Sequence, residues 1–322
     1  MGFKEIGISF LQRREVSVTL ILASVMTIFY CIQPRFLSPS NMSVLLRITP
    51  ELGIVALGVT LLMIGGEFDL SVGSVFGFAP LVMASLLNLG TNTWLAFAIV
   101  LIMCMIIGAV QGVITVKTGI PSFITTLGGM LIWRGVALVI TGGHPLYFNP
   151  SSDFSYIFTG KILPFIHAQL IIFLILLITL QFLLERTKFG NWIYGVGGNK
   201  DAAEAAGINI KYVKVILFII CSTLAGLGGI IQSTRFGQAM PNQGSGLEFD
   251  AIAAAVIGGT SLFGGVGTLI GTMLGEFLCR IIENGLIIIR APSYYFRLYI
   301  GIIIIAAVIG NLYIQRRTLK LR

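Results

Sequence analysis

Long apolar stretches, separated by short polar segments, dominate the pattern of the chain. A helix needs about 20 mainly apolar residues to cross the hydrocarbon core of a bilayer. The pattern predicts spans near residues 16–33, 43–65, 70–88, 93–116, 121–141, 163–184, 213–234, 251–260, 266–289 and 297–315. We therefore expect an all-α polytopic membrane protein with about ten transmembrane helices in one domain, residues 1–322. Nine or eleven spans also fit, because the glycine-rich breaks can be re-entrant turns instead of loops.

Composition supports the membrane assignment and excludes other classes. Of the 322 residues, 56% are hydrophobic and 11% are charged, whereas a soluble domain carries about 25% charged residues. The net charge is +8, but no stripe of basic and aromatic residues suggests nucleic-acid binding. The four cysteines lie inside apolar stretches without metal-ligand spacing, so we expect neither a metal site nor a disulfide framework.

The distribution of Lys and Arg predicts the orientation of the chain, because these residues accumulate in cytoplasmic loops. An even number of spans with both termini in the cytoplasm places most of them inside. Residues 142–162 are then outside the cell, and the 185–212 segment, the longest polar segment of the chain, is inside.

The 185–212 segment contains a short predicted helix at about 199–207. Asn199 is a suitable N-cap, Asp201 and Glu204 favour the positive end of the helix dipole, Ala203 is a strong helix former, and Gly207 is a suitable stop. So short a helix is marginally stable alone. It therefore lies either on the membrane surface or in the groove of a partner protein.

The stretch GEFDLSVGS, residues 66–74, places acidic and small residues between two predicted spans. We expect Asp69 to cap the next helix by accepting hydrogen bonds from the backbone of residues 70–72. A similar Gly-Ser or Gly-Thr step opens an apolar stretch at residues 263–271. The pair suggests an internal repeat of broken helices, either parallel or inverted.

Charged residues fall inside several predicted spans. Arg134 either has a functional role or extends towards the membrane surface. Glu276, Arg280 and Glu283 follow i, i+4, i+7 spacing, so they share one helix face and are expected to form structural ion pairs.

Several motifs resemble those of one known family. They are GGEFDLSVGS (65–74), PSFITTLGGM (121–130), GGNKDAAEAAGI (197–208), AAAVIGGTSLFGGVGT (253–268) and the basic C-terminal tail. With these motifs, the chain resembles the permease subunit of bacterial ABC sugar importers, in the family of the ribose, xylose and galactose permeases. Glu67 and Phe68 depart from the Gly-Ile pair that family members typically show before Asp-Leu-Ser.

The resemblance implies a function, partners and a location. The chain would transport a monosaccharide by alternating access in the bacterial inner membrane. Its helix at 199–207 would be the coupling helix that docks on a cytoplasmic ATPase, through Asn199, Asp201, Ala203, Glu204 and Gly207. A sugar-binding protein outside the membrane, a second permease subunit, identical or different, and membrane lipid complete the expected partners.

We do not expect the chain to catalyse a chemical reaction. It lacks the G-x-x-x-x-G-K-[ST] motif of nucleotide-binding loops, so ATP hydrolysis would belong to a separate subunit. We find no catalytic set of residues and expect no cofactor. The translocation path is expected to be lined by small and polar residues suited to a neutral hydroxylated solute: Asp69, Ser71, Ser74, Thr125, Thr126, Gly259, Ser261 and Asn284.

Alternative functions remain open at this stage. The same machine could carry a nucleoside, an autoinducer, a branched-chain amino acid or another small polar solute. A secondary transporter driven by an ion gradient would require a membrane-embedded charged site, for which Asp69 and Glu276 are the candidates. The identity of a sugar is not evident from these motifs.

Overall fold

The structure, a computed structural model, is a bundle of α-helices whose long members run between two opposite ends. It describes residues 14–292 and the separate positions 295, 298, 301, 302 and 305. The first helices are α1 (Arg14–Ile32), α2 (Pro39–Ile64), α3 (Val72–Asn88), α4 (Thr93–Thr118), α5 (Ser122–Thr141) and α6 (Ser152–Thr159), with a 3-10 turn at Pro34–Leu37. They are followed by α7 (Ala168–Arg186), α8 (Lys188–Gly198), α9 (Lys200–Ala205), α10 (Ile210–Phe236), α11 (Leu247–Ile257) and α12 (Leu269–Ile288).

In the part of the chain that the structure describes, four short strands form two antiparallel ribbons that the sequence pattern did not predict. They are β1 (Leu146–Tyr147), β2 (Lys161–Leu163), β3 (Ile166–His167) and β4 (Gln238–Ala239). Strand β1 pairs with β4, and β2 pairs with β3. These strands have only two or three residues each, and the expectation of an α-helical chain holds. Such short strands lack a detectable period of two, and the β1–β4 ribbon depends on a partner far along the chain.

Helix α10 lies at the centre of the bundle and packs against α2, α3 and α4. The second half of α2, from Thr49 to Ile64, is buried throughout. By contrast, α5 buries only a narrow face and exposes large apolar side chains on the others. A helix that is apolar all round and only partly buried is typical of a membrane bundle.

Within the described residues, five helices are long and apolar enough to cross a membrane: α2, α4, α5, α7 and α10. This finding confirms an α-helical polytopic membrane protein but not ten spans. The short eighth helix predicted to end near 260 corresponds to α11, which has 11 residues, is too short to span a membrane by itself and is preceded by an irregular segment, residues 240–246. The predicted span at 297–315 falls outside the described residues, apart from the four positions 298, 301, 302 and 305.

The two ends of the bundle are named here by what they carry. The lower end carries α8 and α9, and the upper end carries residues 142–167. Helix α2 runs from the upper end, where Asn41 contacts Asn284 of α12, to the lower end. Helix α10 runs in the opposite direction and ends at the upper β1–β4 ribbon.

Candidate functional site

The segment of residues 65–71 breaks the chain between α2 and α3 inside the lower part of the bundle. Asp69 is buried, and its Oδ1 accepts hydrogen bonds from the backbone N–H of Ser71, at 2.8 Å, and from the Ser71 hydroxyl, at 2.6 Å. Gln111 of α4 donates to Ser71 Oγ at 2.9 Å. Of the three backbone groups predicted for Asp69, the side chain reaches only that of Ser71, because α3 begins later, at Val72.

Helix α5 supplies further hydrogen bonds to this break from residues spaced four apart. Ser122 Oγ accepts from the Phe68 N–H, and Thr126 Oγ1 accepts from the Leu70 N–H, both at 3.1 Å. One turn further, the Met130 carbonyl accepts from Ser74 Oγ at 2.8 Å. Non-helical backbone at membrane depth requires such internal partners, so this face of α5 stabilises the break.

Arg134, the next residue of the same α5 face, supports the second irregular segment, residues 240–246. Its Nη1 donates to the carbonyls of Pro241, at 2.6 Å, and Gln243, at 2.9 Å, and its Nη2 donates to that of Gly73, at 3.4 Å. Arg134 therefore binds backbone carbonyls between α3 and α11.

An ion pair connects the break to α10. Glu67 is buried and pairs with Lys214, which is also buried. Glu67 is therefore not a solvated loop carboxylate. The partner lies 147 residues further along the chain, too far for any local pattern to reveal.

Three glycine motifs meet at the lower end in what we call the glycine junction: Gly66, Gly197, Gly198, Gly264 and Gly265. The Gly265 N–H donates to the carbonyl of Ile64, the last residue of α2, at 2.8 Å. A Cβ at Gly264 would lie 2.9 Å from the Gly66 Cα. Only residues without side chains allow the three backbones to approach so closely.

The predicted coupling helix corresponds to α9, which is attached to this junction through α8. Asn199 Oδ1 accepts from the Ala202 N–H at 3.0 Å, and Gly207, with φ of +81°, follows the helix. The Gly207 and Ile208 N–H groups donate to the carbonyls of Glu204 and Ala203, respectively, which is a Schellman motif.

The faces of α9 and α8 have different environments. Ala203 is buried, whereas Asp201 and Glu204 are exposed at the lower end. In α8, which the sequence analysis missed, the Tyr194 hydroxyl donates to the Gly267 carbonyl at 2.8 Å. Helix α8 has an amphipathic pattern, and that pattern was the available signal.

A cavity of about 890 Å³ opens beside these elements at the lower end. Its walls come from the 66–68 break, the α4–α5 turn and residues 200–214. The charged residues in the walls are Glu67, Lys200, Glu204, Lys211 and Lys214.

A smaller cavity of about 330 Å³ lies towards the upper end, between α2, α10 and α12; we call it the upper pocket. Glu51 of α2 is buried and binds Arg235 of α10 in a bidentate pair, at 2.5 and 3.0 Å. Gln232 donates to Glu51 Oε2 at 2.9 Å. The sequence pattern did not identify these three residues as a group, although a carboxylate in the middle of an apolar span was a usable signal.

The predicted ion pairs of α12 form one wall of the upper pocket. Arg280 donates from Nε to Glu276 Oε1, at 2.9 Å, and from Nη1 to Glu283 Oε2, at 2.5 Å. Glu276 is fully buried, whereas the Glu283 side chain is 33% exposed. Asn284 exchanges two hydrogen bonds with Asn41 of α2, at 2.8 and 3.0 Å.

The structure divides the predicted path residues into separate groups. Asp69, Ser71, Ser74 and Thr126 lie together at the break, and Thr125 is half-buried beside them. Gly259 and Ser261 belong to the loop before α12, and Asn284 lies at the opposite end, in the upper pocket. They do not form a single row.

The chain is similar to a known family of transport proteins and to several named permeases. Residues 41–308 match the family described as "Branched-chain amino acid transport system / permease component". The chain is 36% identical over 301 residues to the ribose import permease protein RbsC of Escherichia coli, covering 92% of both chains. It is 36% identical over 290 residues to the D-allose transport system permease protein AlsC of Escherichia coli, covering 89% of this chain and 88% of the relative.

A third similar protein comes from another organism. The xylose/arabinose import permease protein XylH of Sulfolobus acidocaldarius is 32% identical over 320 residues, covering 97% of this chain and 88% of the relative. No solved structure matches the chain. The resemblance inferred from the glycine motifs is thus confirmed by the family and its relatives.

Proposed function

Because the chain belongs to the family of branched-chain amino acid transport system permease components, we propose that it is the membrane-spanning permease subunit of an ABC importer for a monosaccharide. Its relatives over nearly the whole length are named for ribose, D-allose and xylose/arabinose. Proteins of this kind transport a solute and catalyse no reaction, so ATP hydrolysis is the task of a partner.

One structural observation carries the mechanism: α8 and α9 are joined by backbone contacts to the break between α2 and α3. Gly197 of α8 packs on the Ile64 carbonyl, and the Tyr194 hydroxyl donates a hydrogen bond to the Gly267 carbonyl. A displacement of α9 at the lower end is therefore transmitted to the bend at Asp69 and to the loop before α12. This is the connection that an ATP-driven permease needs.

The partners follow from this arrangement. A cytoplasmic ATPase docks on the exposed side of α9, with Asp201 and Glu204 as contacts, while the buried Ala203 anchors the helix to the bundle. A sugar-binding protein delivers its cargo to the upper end, and a second permease subunit completes the pathway. The protein lies in the bacterial inner membrane with both termini in the cytoplasm.

The test is uptake of labelled D-ribose, D-allose and D-xylose into vesicles that contain the chain with its ATPase and binding protein. Each component is omitted in turn. Glu204→Arg reverses a charge on the exposed side of α9, and Glu185→Arg, at an exposed site on α7, is the matched control. We expect uptake that requires ATP and both partners, with at least a tenfold loss in Glu204→Arg and a change below twofold in the control.

Two outcomes would reject this proposal. If the chain alone transports the sugar and uptake follows an ion gradient, the protein is a secondary transporter. Asp69 Oδ2 and Glu276 Oε2, which are buried without a hydrogen-bond partner among the described residues, would then be the coupling candidates. If the complete system transports none of the three sugars but another solute, the cargo assignment is wrong.

A further inference from the structure

The upper pocket combines partial burial, polar side chains and charged groups that are already paired. It contains two carboxylates, Glu51 and Glu283, and two guanidinium groups, Arg235 and Arg280. Each carboxylate is paired with one of the guanidinium groups. Arg280 also binds the fully buried Glu276, so every charged group that lines the pocket is already paired, and an ionic ligand would have to compete with these ion pairs.

Hydrogen-bonding groups remain available in this pocket. Within the described part of the chain, Arg235 donates hydrogen bonds from Nε and Nη2, so its Nη1 remains a free donor. Arg280 donates from Nε and Nη1, so its Nη2 remains a free donor. Gln232 donates from Nε2 and keeps its carbonyl oxygen, and Glu283 keeps Oε1. Donors and acceptors therefore face the same cavity.

The walls of the pocket are fixed before any ligand arrives. The Arg235 guanidinium lies 4.0 Å from the centre of the Phe236 ring, and Glu51 holds it from the other side. The Asn41–Asn284 pair connects α2 to α12. Preorganised polar groups lose little conformational entropy on binding.

The shape and apolar edge of the pocket complete the description. Val44, Ile48 and Ile287 provide aliphatic surface beside the charged groups. The volume of about 330 Å³ lies at the small end of the range of about 300–1,000 Å³ for small-molecule sites. Hydroxyl groups that both donate and accept, attached to a carbon ring with an apolar face, match this combination.

We propose that the upper pocket is a binding site of the permease for a neutral polyhydroxylated solute, held by Gln232, Arg235, Arg280 and Glu283. The inference rests on the proposed function and deepens it, because selectivity then resides partly in the membrane subunit. The site receives the solute at the upper end before it passes the Asp69 break at the lower end.

The test is equilibrium binding of labelled D-ribose, D-allose and D-xylose to the full chain in lipid nanodiscs, without ATP or partner proteins. Gln232→Leu removes the amide but leaves the Glu51–Arg235 pair. Glu283→Gln removes one charge at a partly exposed side chain, so the fold is retained. The controls are Gln238→Leu, exposed at the same end, and Glu185→Gln, exposed at the lower end.

We expect at least one sugar to bind, with affinity reduced at least tenfold in both pocket variants and less than twofold in both controls. The absence of binding to the wild-type chain, or equal binding by Gln232→Leu, overturns the proposal. Thermal melting in the nanodisc verifies that each variant is folded.

Vesicle uptake separates this proposal from the proposed function. Sugar uptake by the complete system, with no binding to the chain alone, rejects the pocket and leaves the importer intact. Binding that the pocket variants weaken, in a chain that supports no ATP-dependent sugar uptake, retains the pocket and rejects the importer.

Discussion

At the scale of single residues, Arg134 illustrates how a charge can stabilise irregular backbone inside a membrane bundle. Segment 240–246 directs carbonyl groups into the protein, and the guanidinium satisfies those of Pro241 and Gln243. Unsatisfied backbone groups cost several kcal/mol in lipid. The charge is therefore accounted for by backbone hydrogen bonding, which the sequence does not reveal.

We predict that Arg134→Met lowers the free energy of unfolding by about 2–6 kcal/mol, because two carbonyl groups lose their donor at about 1–3 kcal/mol each. Arg134→Lys retains one cationic donor and should lose roughly half as much. Thermal unfolding in detergent measures both, with Arg186→Met, at an exposed site on α7, as the control. Equal melting of Arg134→Met and the control would contradict this role.

At the scale of secondary-structure elements, the junction between α8, α2 and the loop before α12 is the central feature. Helix α8 ends in Gly197 and Gly198, and the absence of side chains there allows contact with the Ile64 carbonyl and with Gly265. Helix α9, too short to be stable alone, gains its position from α8 and from its own two caps. These elements are therefore expected to move as one unit.

Gly197→Ala tests whether the junction transmits motion. The new Cβ would overlap the Ile64 carbonyl oxygen and displace α8 from α2. We expect vesicle uptake to fall at least tenfold, while the variant still inserts and binds its ATPase. Gly128→Ala is the matched control, since nothing lies within 4 Å of its Cβ, and uptake should stay within twofold. Normal uptake by Gly197→Ala would reject transmission through this contact.

At the scale of the whole molecule, two cavities lie at opposite ends of one bundle. The lower cavity of about 890 Å³ borders α9, and the upper pocket of about 330 Å³ borders α12. The hydrogen-bonded break at Asp69 and the ion pair of Glu67 and Lys214 belong to the lower end. In alternating access, the openings of the two cavities change in opposite directions.

This arrangement predicts reciprocal labelling by a water-soluble maleimide. Single cysteines at Ile48, in the upper pocket, and Ile210, in the lower cavity, are introduced into a chain in which the exposed Cys31 is replaced by serine. Trapping the complete complex with ATP and vanadate should change the two labelling rates in opposite directions, at least threefold each. Tyr147→Cys, exposed in β1, is the control; parallel changes at the two test sites would contradict alternating access.

Local features of this protein are determined by the sequence itself. The apolar pattern places α4 and α5 within about two residues of their observed ends, because a membrane span requires a minimum apolar length. Asn199 and Gly207 mark the ends of α9, since a cap depends only on neighbouring backbone groups.

Only the tertiary structure determines which distant residues meet. Glu67 finds Lys214 across 147 positions, and Gly66, Gly197 and Gly265 come from three separate motifs. The upper pocket joins Glu51, Arg235 and Arg280 from three helices. A periodic pattern reports which face of a helix is apolar, but the partner of that face depends on how all the helices pack together.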